Sequence, residues 1–489
     1  MLRCQGLACS SRLVDGLAVS SPFVVPRRHK DFRVKKNWTI RQSYKLPSTR
    51  ALEHFDFVYE PLYRERWPSI RLGLLSDQKY GVMVNNFSSS RDGVVARFKE
   101  RGGALELWDE LPNRPASAGA DASPADALAA VDGSPAEVEE RAEASGDRPY
   151  PLPSAAERAS AWTAFDTALS EEDRFDTTRF EHLPTSGLTI TDDDDFGLGG
   201  DEVDDGAEPG LRTLVDTSGE PFRYPTELRV FVNPRGDIRH FKPKTKDEQG
   251  LKRFLLFDMA SVLPVIALGL RPGDSVLDLC AAPGIKTLLM LQTRLPSRLV
   301  CNDPKMSRLG QLRRTLLDFV PASTEAAESV LLKAKNAAAV DNWDEFEAYD
   351  RVLADVSCSS DRLSVLEEGG LRGANVRQNF ERRRRDLPEQ VQVPTLLNAL
   401  RAVKVGGSVV YATCTLSPLE NASVVERALR VARQRFGVHA VVVDLKPHLD
   451  QALSTVFRFH DDCKLGTLVT PFLPQNFGPM SICRLDRIE

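Results

Sequence analysis

From about residue 222 onward, short apolar runs alternate with segments of helical periodicity, and this alternation constrains the fold more than any other feature of the chain. Runs that are apolar throughout indicate strands buried on both faces, as in parallel sheets, where crossover helices join successive strands. The pattern therefore predicts an α/β fold with a doubly wound, mostly parallel sheet. The predicted strands are 275–280, 298–302, 329–333, 350–356, 407–413, 439–445 and 480–485, and the predicted helices are 285–292, 306–319, 394–403 and 422–435.

The segment just before this sheet also has strand and helix patterns. Strands are predicted at 228–233 and 238–241, and an apolar helix is predicted over 251–268. The longest strongly apolar stretch, 262–270, is about half as long as a helix that crosses a bilayer. The sequence therefore predicts no membrane span.

The beginning of the chain has two parts of different composition. Residues 1–47 carry ten Lys and Arg but two Asp, a basic and acid-poor pattern typical of a mitochondrial transit segment, with an ordinary basic arm as the alternative. Residues 48–110 have helical spacing at 51–63, and a second helix is predicted over 74–86. We expect a small helical N-terminal region that packs on the larger domain, 221–489.

Residues 111–220 separate these two regions and have an extreme charge. They hold 26 Asp and Glu against 7 Lys and Arg, a net charge of -19, whereas the rest of the chain carries +14. Dense like charge and little apolar surface predict a disordered acidic insert. An acidic mimic of nucleic acid, or a partner-binding segment, is the alternative. The basic remainder suits a polyanionic partner.

A tight turn of small residues follows the first strand of the main sheet. The run Leu277 to Thr287 leads from a buried strand through Gly284 into a helix, so a ligand can approach the backbone there. Asp303 follows nineteen residues after Gly284, just beyond the next strand, where a carboxylate reaches the ribose hydroxyls of an adenine nucleoside. The GxGxxG and P-loop spacings are absent from the sequence, which makes NAD and ATP weaker interpretations.

Two cysteines follow two later apolar strands, each beside hydroxyl residues. Cys358 comes three residues after Asp355, and Cys414 follows the next main strand. Ligands bind at the carboxyl ends of such strands, so both thiols are expected on the same edge as the Gly284 turn, although burial as an ordinary apolar residue is the alternative. Of the eight cysteines no two have CxxC spacing, so no metal site is predicted. The thiols expected to be simply buried are Cys280, Cys301, Cys463 and Cys483.

Together these motifs resemble those of the Nop/Sun-domain RNA cytosine-5 methyltransferases, in particular the branch that acts on mitochondrial ribosomal RNA. Two separate cysteine motifs in this order are highly specific, whereas the glycine turn alone is not. The resemblance covers nearly all the chain except the leader and the acidic insert. It rests on CAAPGIKT (280–287), NDPKMSR (302–308), DVSCSSDR (355–362), VVYATCTLSPLEN (409–421), NFGPM (476–480), LEHFDFVYE (52–60) and WPSIRLGLLSDQKYG (67–81).

The resemblance implies a Rossmann-like, S-adenosylmethionine-dependent methyltransferase that makes 5-methylcytosine. A thiolate adds to carbon 6 of cytosine and thereby makes carbon 5 nucleophilic. The resemblance assigns Cys414 as that nucleophile, Cys358 to product release and Asp355 to the cytosine edge around N3. The residues that it assigns to the cofactor are Pro283, Gly284, Ile285, Lys286, Asp303, Arg308, Asn336, Ala337 and Asp355.

Three positions depart from the family's usual pattern. Ile285 stands where the family has Gly, Ser357 where it has Pro, and Asn336 where it has Asp. Because of Ile285 and Ser357, a non-catalytic ribosome assembly factor on a methyltransferase scaffold is an alternative. A DNA cytosine methyltransferase is another, but in that class the attacking cysteine follows Pro at the earlier strand, where Ser357 and Cys358 stand here.

The expected partner is ribosomal RNA in the mitochondrial matrix. Arg382, Arg383, Arg384 and Arg385 form a run suited to phosphate contacts, although a solvated helix face explains them equally well. The resemblance further implies a protein partner, a helical repeat protein like the mitochondrial transcription termination factors.

Overall fold

The structure, a computed structural model that describes residues 47–108, 213–215, 223–237, 239–241, 246–366 and 387–489, contains two sheets within these residues. The strands are β1 Gly81–Val84, β2 Leu105–Glu106, β3 Thr213–Val215, β4 Val230–Val232, β5 Phe254–Phe257, β6 Ser275–Asp278, β7 Arg298–Asn302, β8 Val330–Lys333, β9 Tyr349–Asp355, β10 Val403–Thr413, β11 Ala440–Asp444, β12 Thr467–Val469 and β13 Met480–Arg487. The α-helices are α1 Pro47–Tyr63, α2 Trp67–Leu75, α3 Arg91–Gly102, α4 Leu263–Ala267, α5 Ile285–Gln292, α6 Met306–Phe319, α7 Glu325–Glu328, α8 Asp361–Leu366, α9 Val393–Ala402, α10 Ala422–Phe436 and α11 Lys446–Leu453.

The larger sheet has the predicted doubly wound topology. Its strands run in the order β3-β11-β13-β10-β9-β6-β7-β8, with β12 paired to β13. Strands β10, β9, β6, β7 and β8 are mutually parallel, and β13 is antiparallel to β10 and β11. After β8 the chain returns to the other side of β6, so the strand order reverses between β6 and β9. Ligands bind at the carboxyl ends of the strands on either side of such a reversal.

Helices cover both faces of this sheet, because its central strands are apolar on both sides. In β9, Leu353 packs into one buried cluster with α4, α5 and α6, while Val352 and Ala354 pack into the other with α9 and α10. This is the alternation that the two-residue repeat of a strand imposes. Each fully buried Leu or Val contributes about 1.5–3 kcal/mol, so the two layers hold the strand ends rigidly in place.

The second sheet shows that two predicted helices are wrong. The prediction over 74–86 fails because β1 pairs antiparallel with both β4 and β5, which buries Val82, Met83 and Val84 together. The prediction over 251–268 fails because β5 occupies its first half. Asp258 then accepts a hydrogen bond from the Ala260 N–H and starts a 3-10 turn, Met259–Val262, which leaves only α4. Region 48–110 is therefore a mixture of helices and strands.

Other predicted segments differ or fall outside the described residues. The C-terminal end of the acidic insert contains a short strand: β3 adds to the sheet edge in parallel with β11, whose outer side is otherwise unpaired in the described residues. The rest of 111–212, the leader 1–46 and the arginine run 382–385 lie outside the described residues. Residues 239–241 form no strand. None of the described helices is long and apolar enough to cross a membrane.

Helices α1 and α2 form a third buried cluster with the main domain. Phe55, Tyr59 and Trp67 pack there with Val365 of α8 and with Leu416 in the loop after β10. Apolar residues spaced three or four apart along α1 place one face of the helix against these loops. The N-terminal helices thus pack directly against the chain that follows β9 and β10.

Candidate active site

The two cysteines predicted to meet do so at the ends of β9 and β10. These strands are parallel neighbours, and Ala412 lies beside Asp355 in the ladder. Because Cys358 and Cys414 follow the ladder by only a few residues, both thiols lie at the same edge. Their Sγ atoms are 2.8 Å apart, and the backbone N–H of Cys414 donates to Cys358 Sγ at 3.2 Å.

The two thiols have opposite electrostatic environments. The hydrogen bond from Cys358 lowers the pKa of Cys414, assisted by Ser360 Oγ at 3.2 Å, and outweighs the opposing effect of burial. The same hydrogen bond, followed by burial, raises the pKa of Cys358 well above its usual value. Cys358 is 3% exposed, whereas Cys414 is only partly buried. Cys414 is therefore the more acidic and the more accessible of the two thiols, as a nucleophile requires.

Alkylation of the thiols should reveal this asymmetry. Because the thiolate is the reactive form, Cys414 should react with iodoacetamide at lower pH than an ordinary thiol, and Cys358→Ala should move its reaction profile to higher pH. Peptide mass spectrometry at each pH measures the labelling. Cys463, whose pKa burial raises to about 11, is the internal control and should label slowly at neutral pH in both proteins. An identical Cys414 profile in the variant would contradict this assignment.

A buried ion pair lies beside the thiols. Lys286 Nζ on α5 is 2.6 Å from Asp355 Oδ2, with side chains that are 12% and 29% exposed. Burial lowers the pKa of Lys286, but the Asp355 carboxylate outweighs it, so the net pKa lies above the usual value. The cation therefore stays charged and fixes the Asp355 carboxylate at the end of β9.

The glycine turn between β6 and α5 is fixed by its own backbone conformation and by α6. Gly284 has φ +107°, which favours glycine, and an added Cβ would lie 2.6 Å from Leu312 Cδ1. Two side chains of α6 hold the turn: Arg308 Nη2 donates to Ala282 O at 2.5 Å, and Thr315 Oγ1 donates to Pro283 O at 2.9 Å. The backbone is thus fixed close to the carboxyl end of the sheet.

Asp303 lies at the same edge with an unsatisfied oxygen. The residue is fully buried, and its Oδ1 accepts the Lys305 N–H at 3.0 Å. Its Oδ2 is 3.0 Å from Arg308 Nη1 but accepts no hydrogen bond within the described residues. Burial raises the pKa of Asp303. A buried carboxylate oxygen without a donor fits a ligand hydroxyl, as a ribose would supply.

The remaining predicted cofactor residues flank this edge. Ile285 is the first residue of α5 and packs partly against the core. Asn336 follows β8 and is exposed, and its Oδ1 accepts the Ala338 N–H at 3.1 Å. Ala337 is buried, and its carbonyl accepts from Asn398 Nδ2 at 2.9 Å. All the predicted positions except the arginine run therefore lie at the carboxyl ends of β6 to β10, in the loops there or in the first turns of α5 and α6.

Three buried acidic residues near the site escaped the sequence analysis. Burial raises the pKa of Asp278 to about 7, and its Oδ2 accepts from Thr287 Oγ1 at 2.7 Å. Glu420 Oε2 accepts the Ser359 N–H at 2.9 Å, and Asp361 accepts several hydrogen bonds. Acidic residues within otherwise apolar or hydroxyl-rich motifs are the signal that could have identified them.

Comparison with known proteins confirms the resemblance. A family model described as 16S rRNA methyltransferase RsmB/F matches residues 265–451. The 5-cytosine rRNA methyltransferase nsun-4 of Caenorhabditis elegans is 39% identical over 475 residues, covering 94% of this chain and 97% of that protein. The 5-cytosine rRNA methyltransferase NSUN4 of Mus musculus is 33% identical over 466 residues, covering 95% and 94%.

Another relative matches only part of the chain. The mitochondrial tRNA (cytosine(34)-C(5))-methyltransferase of Danio rerio is 37% identical over 262 residues, which cover 53% of this chain and 67% of that protein. The first two relatives, by contrast, match over 94–97% of both chains. The chain therefore belongs to the Nop/Sun, or RsmB/F, family of S-adenosylmethionine-dependent RNA cytosine-5 methyltransferases.

Proposed function

We propose that this methyltransferase modifies cytosine in the ribosomal RNA of the mitochondrial small subunit, with Cys414 as its nucleophile. The observation that carries the chemical assignment is the thiol pair, with 2.8 Å between the Sγ atoms and a lowered pKa on the more exposed one. The full-length relatives named as rRNA methyltransferases, and the 16S description of the family model, support the substrate. The basic, acid-poor residues 1–47 support the mitochondrion.

The first step is the addition of Cys414 to cytosine. The Cys414 thiolate forms an Sγ–C6 bond, and the electron pair of the C5–C6 double bond moves towards C5 and the N3 side of the ring. Asp355 would contact the ring edge around N3, held in position by Lys286, whose Nζ is 2.6 Å from Asp355 Oδ2. S-adenosylmethionine, when bound, supplies the electrophilic methyl group that C5 takes up.

Release reverses the thiol addition. The proton on C5 departs to a base, the C5–C6 double bond re-forms, and the Sγ–C6 bond breaks so that Cys414 leaves as a thiolate. Cys358 would donate its S–H to that departing sulfur, because the two Sγ atoms are 2.8 Å apart. A hydrogen bond to the developing anion stabilises the transition state of this step.

The proposed cofactor residues lie around Asp303 and the Gly284 turn. Asp303 Oδ2 fits the ribose hydroxyls, because it is buried and accepts no hydrogen bond from the part of the chain that the structure describes. Arg308 contacts both the Gly284 turn and Asp303, so the turn and the carboxylate are held close together. The other residues assigned to this pocket are Pro283, Ile285, Lys286, Asn336, Ala337 and Asp355.

Asp303→Asn should weaken cofactor binding. The amide loses the charge that would strengthen the hydrogen bonds from ribose hydroxyls, so the Kd for S-adenosylmethionine should rise by about 10-fold to 100-fold. Isothermal titration calorimetry measures it. Asp318→Asn, which loses the ion pair between Asp318 and Lys252 at the end of α6, is the matched control and should leave the Kd unchanged. Equal affinity in Asp303→Asn and wild type would show that Asp303 does not hold the ribose.

The substrate proposal is tested by mapping 5-methylcytosine in mitochondrial small-subunit RNA with and without the protein. We expect one cytosine to be methylated only when the protein is present. Its methylation should not return when the Cys414→Ala variant replaces the wild type. Methylation found instead in transfer RNA would contradict the proposal that ribosomal RNA is the substrate. Ribosome assembly that depends on the protein without any methylation by the wild type would favour the non-catalytic assembly role that Ile285 and Ser357 suggest.

Two further assignments remain proposals. The run Arg382 to Arg385 would contact RNA phosphates, and its charge-neutral replacement should weaken RNA binding and reduce its salt dependence. A helical repeat protein would bring the enzyme to its RNA. Comparison of methylation by the purified enzyme alone and with that partner tests whether the partner is required.

A further inference from the structure

A buried carboxylate joins both cysteine loops to helix α1. Asp361, the first residue of α8, is 0% exposed. Its Oδ2 accepts from Tyr59 OH at 3.0 Å, from Leu416 N–H at 2.6 Å and from Thr415 Oγ1 at 3.1 Å. Its Oδ1 accepts from Thr415 Oγ1 at 3.1 Å and from Ser359 Oγ at 3.4 Å. We call these five residues the Asp361 cluster.

We propose that Asp361 is a positioning residue that holds the Cys358 and Cys414 thiols at their working distance and couples them to the N-terminal helix. The inference rests on the proposed roles of the two cysteines. It goes beyond them because it assigns the geometry of the pair to a third residue.

The cluster reaches each thiol through a neighbouring residue. Thr415 follows Cys414 directly, and Ser359 follows Cys358 directly. A shift of the Asp361 carboxylate therefore displaces both loops together. The Ser359 N–H also donates to Glu420 Oε2 at 2.9 Å, so Ser359 is held from two sides.

The loop between the thiols and Asp361 is under constraint. Ser360 has φ +53°, a left-handed conformation that residues other than glycine seldom adopt. Ser364 on α8 stabilises it by donating to the carbonyls of Ser359 and Ser360, each at 3.1 Å. The conformation places Ser360 Oγ 3.2 Å from Cys414 Sγ, so the anchored loop also delivers a hydrogen bond to the nucleophile.

Helix α1 supplies the distant half of the anchor. Tyr59 is 302 residues from Asp361 in sequence, and Tyr63, one turn later, donates to Leu416 O at 2.7 Å. Arg362, next to Asp361, donates to Gly73 O and Ser76 O at the end of α2. The N-terminal helices are thus bonded to the same loops as the thiols, which gives that region a role in catalytic geometry beyond covering the core.

Asp361→Asn tests the proposal without changing the shape of the side chain. Its amide group points a donor at partners that are themselves donors, so the cluster must rearrange. Because small misplacements of reacting groups are costly, kcat should fall by about 10-fold to 100-fold. KM for RNA and the Kd for S-adenosylmethionine should change little, and the pH profile of Cys414 alkylation should move upward.

Two more variants calibrate this result. Tyr59→Phe removes a single hydroxyl from the cluster. We expect kcat to fall by about one-tenth of the factor seen for Asp361→Asn, and the pH profile of Cys414 alkylation to move upward by a smaller amount. Asp247→Asn is the matched control: Asp247 is also buried and accepts from Ser88 Oγ at 2.7 Å and from the Gln249 and Leu251 N–H groups at 3.0 and 2.9 Å. That change should lower Tm while kcat and the alkylation profile stay as in wild type.

The outcomes separate this inference from the proposed function. If Asp361→Asn lowers Tm like Asp247→Asn but leaves kcat and the alkylation profile unchanged, Asp361 is merely structural and the inference is wrong. If Asp361→Asn does not fold, an unchanged profile in Tyr59→Phe overturns it. If the profile shifts but Cys414→Ser still methylates, the positioning stands and the assigned nucleophile fails.

Discussion

Cys414→Ser is expected to lower methyl transfer to RNA by about 10³-fold or more. Serine keeps the size of the side chain, but its hydroxyl remains protonated where the hydrogen bond from Cys358 makes the Cys414 thiol acidic. Without a thiolate, C6 receives no nucleophile and C5 stays unreactive. Transfer of labelled methyl from S-adenosylmethionine to RNA measures the loss, and cofactor affinity should be unchanged.

The control for this variant is Cys463→Ser. Cys463 is half-buried, and burial raises its pKa to about 11, so its removal should leave methyl transfer at the wild-type rate. Retention of more than about a tenth of the activity in Cys414→Ser would exclude Cys414 as the nucleophile, because loss of a covalent catalyst removes a whole step of the reaction.

Cys358→Ala is expected to remain covalently bound to its methylated RNA product. The variant lacks the S–H that lies 2.8 Å from Cys414 Sγ and that would stabilise the departing thiolate. Addition and methyl transfer should therefore occur once, while turnover falls by about 10²-fold to 10³-fold, the loss typical of one removed donor to a developing anion. Denaturing gels with unmodified RNA should show a covalent complex, formed at alkaline pH where Cys414 ionises in the variant as well.

Two further variants serve as controls for this prediction. Cys483→Ala removes a thiol from a buried position on β13 and should give no complex and normal turnover. The double variant Cys358→Ala with Cys414→Ser should also give no complex, because its nucleophile is missing. Normal turnover in Cys358→Ala would mean that Cys358 has no part in release.

The sequence predicted the sites on the main sheet because strands and loops there follow local rules. The inner parts of β9 and β10, residues 352–354 and 409–412, are apolar, which predicts parallel neighbours, and polar residues just past their ends then share one edge. The Gly284 turn and Asp303 follow from the same rule. The sequence therefore predicts that Cys358, Cys414 and the Gly284 turn lie at the same edge of the sheet, as the structure shows.

Tertiary pairing decided the elements that the sequence missed. Residues 81–84 are apolar enough for a helix or a strand, and partners in β4, 147–149 positions away, and in β5, 170–176 positions away, select the strand. The hydrogen bond from Tyr59 to Asp361 joins residues 302 positions apart, and neither residue type predicts the other as its partner. Long-range hydrogen bonds of this kind have no periodic signal.

The most direct measurement identifies the cysteine that bonds to RNA. Fluorine at C5 of cytosine blocks proton loss, so an RNA with 5-fluorocytosine at the target should hold the enzyme as a covalent complex. After nuclease and protease digestion, mass spectrometry should find the nucleotide on the peptide that contains Cys414, and Cys414→Ser but not Cys358→Ser should abolish it. A nucleotide on the Cys358 peptide, persisting in Cys414→Ser, would contradict the proposed mechanism.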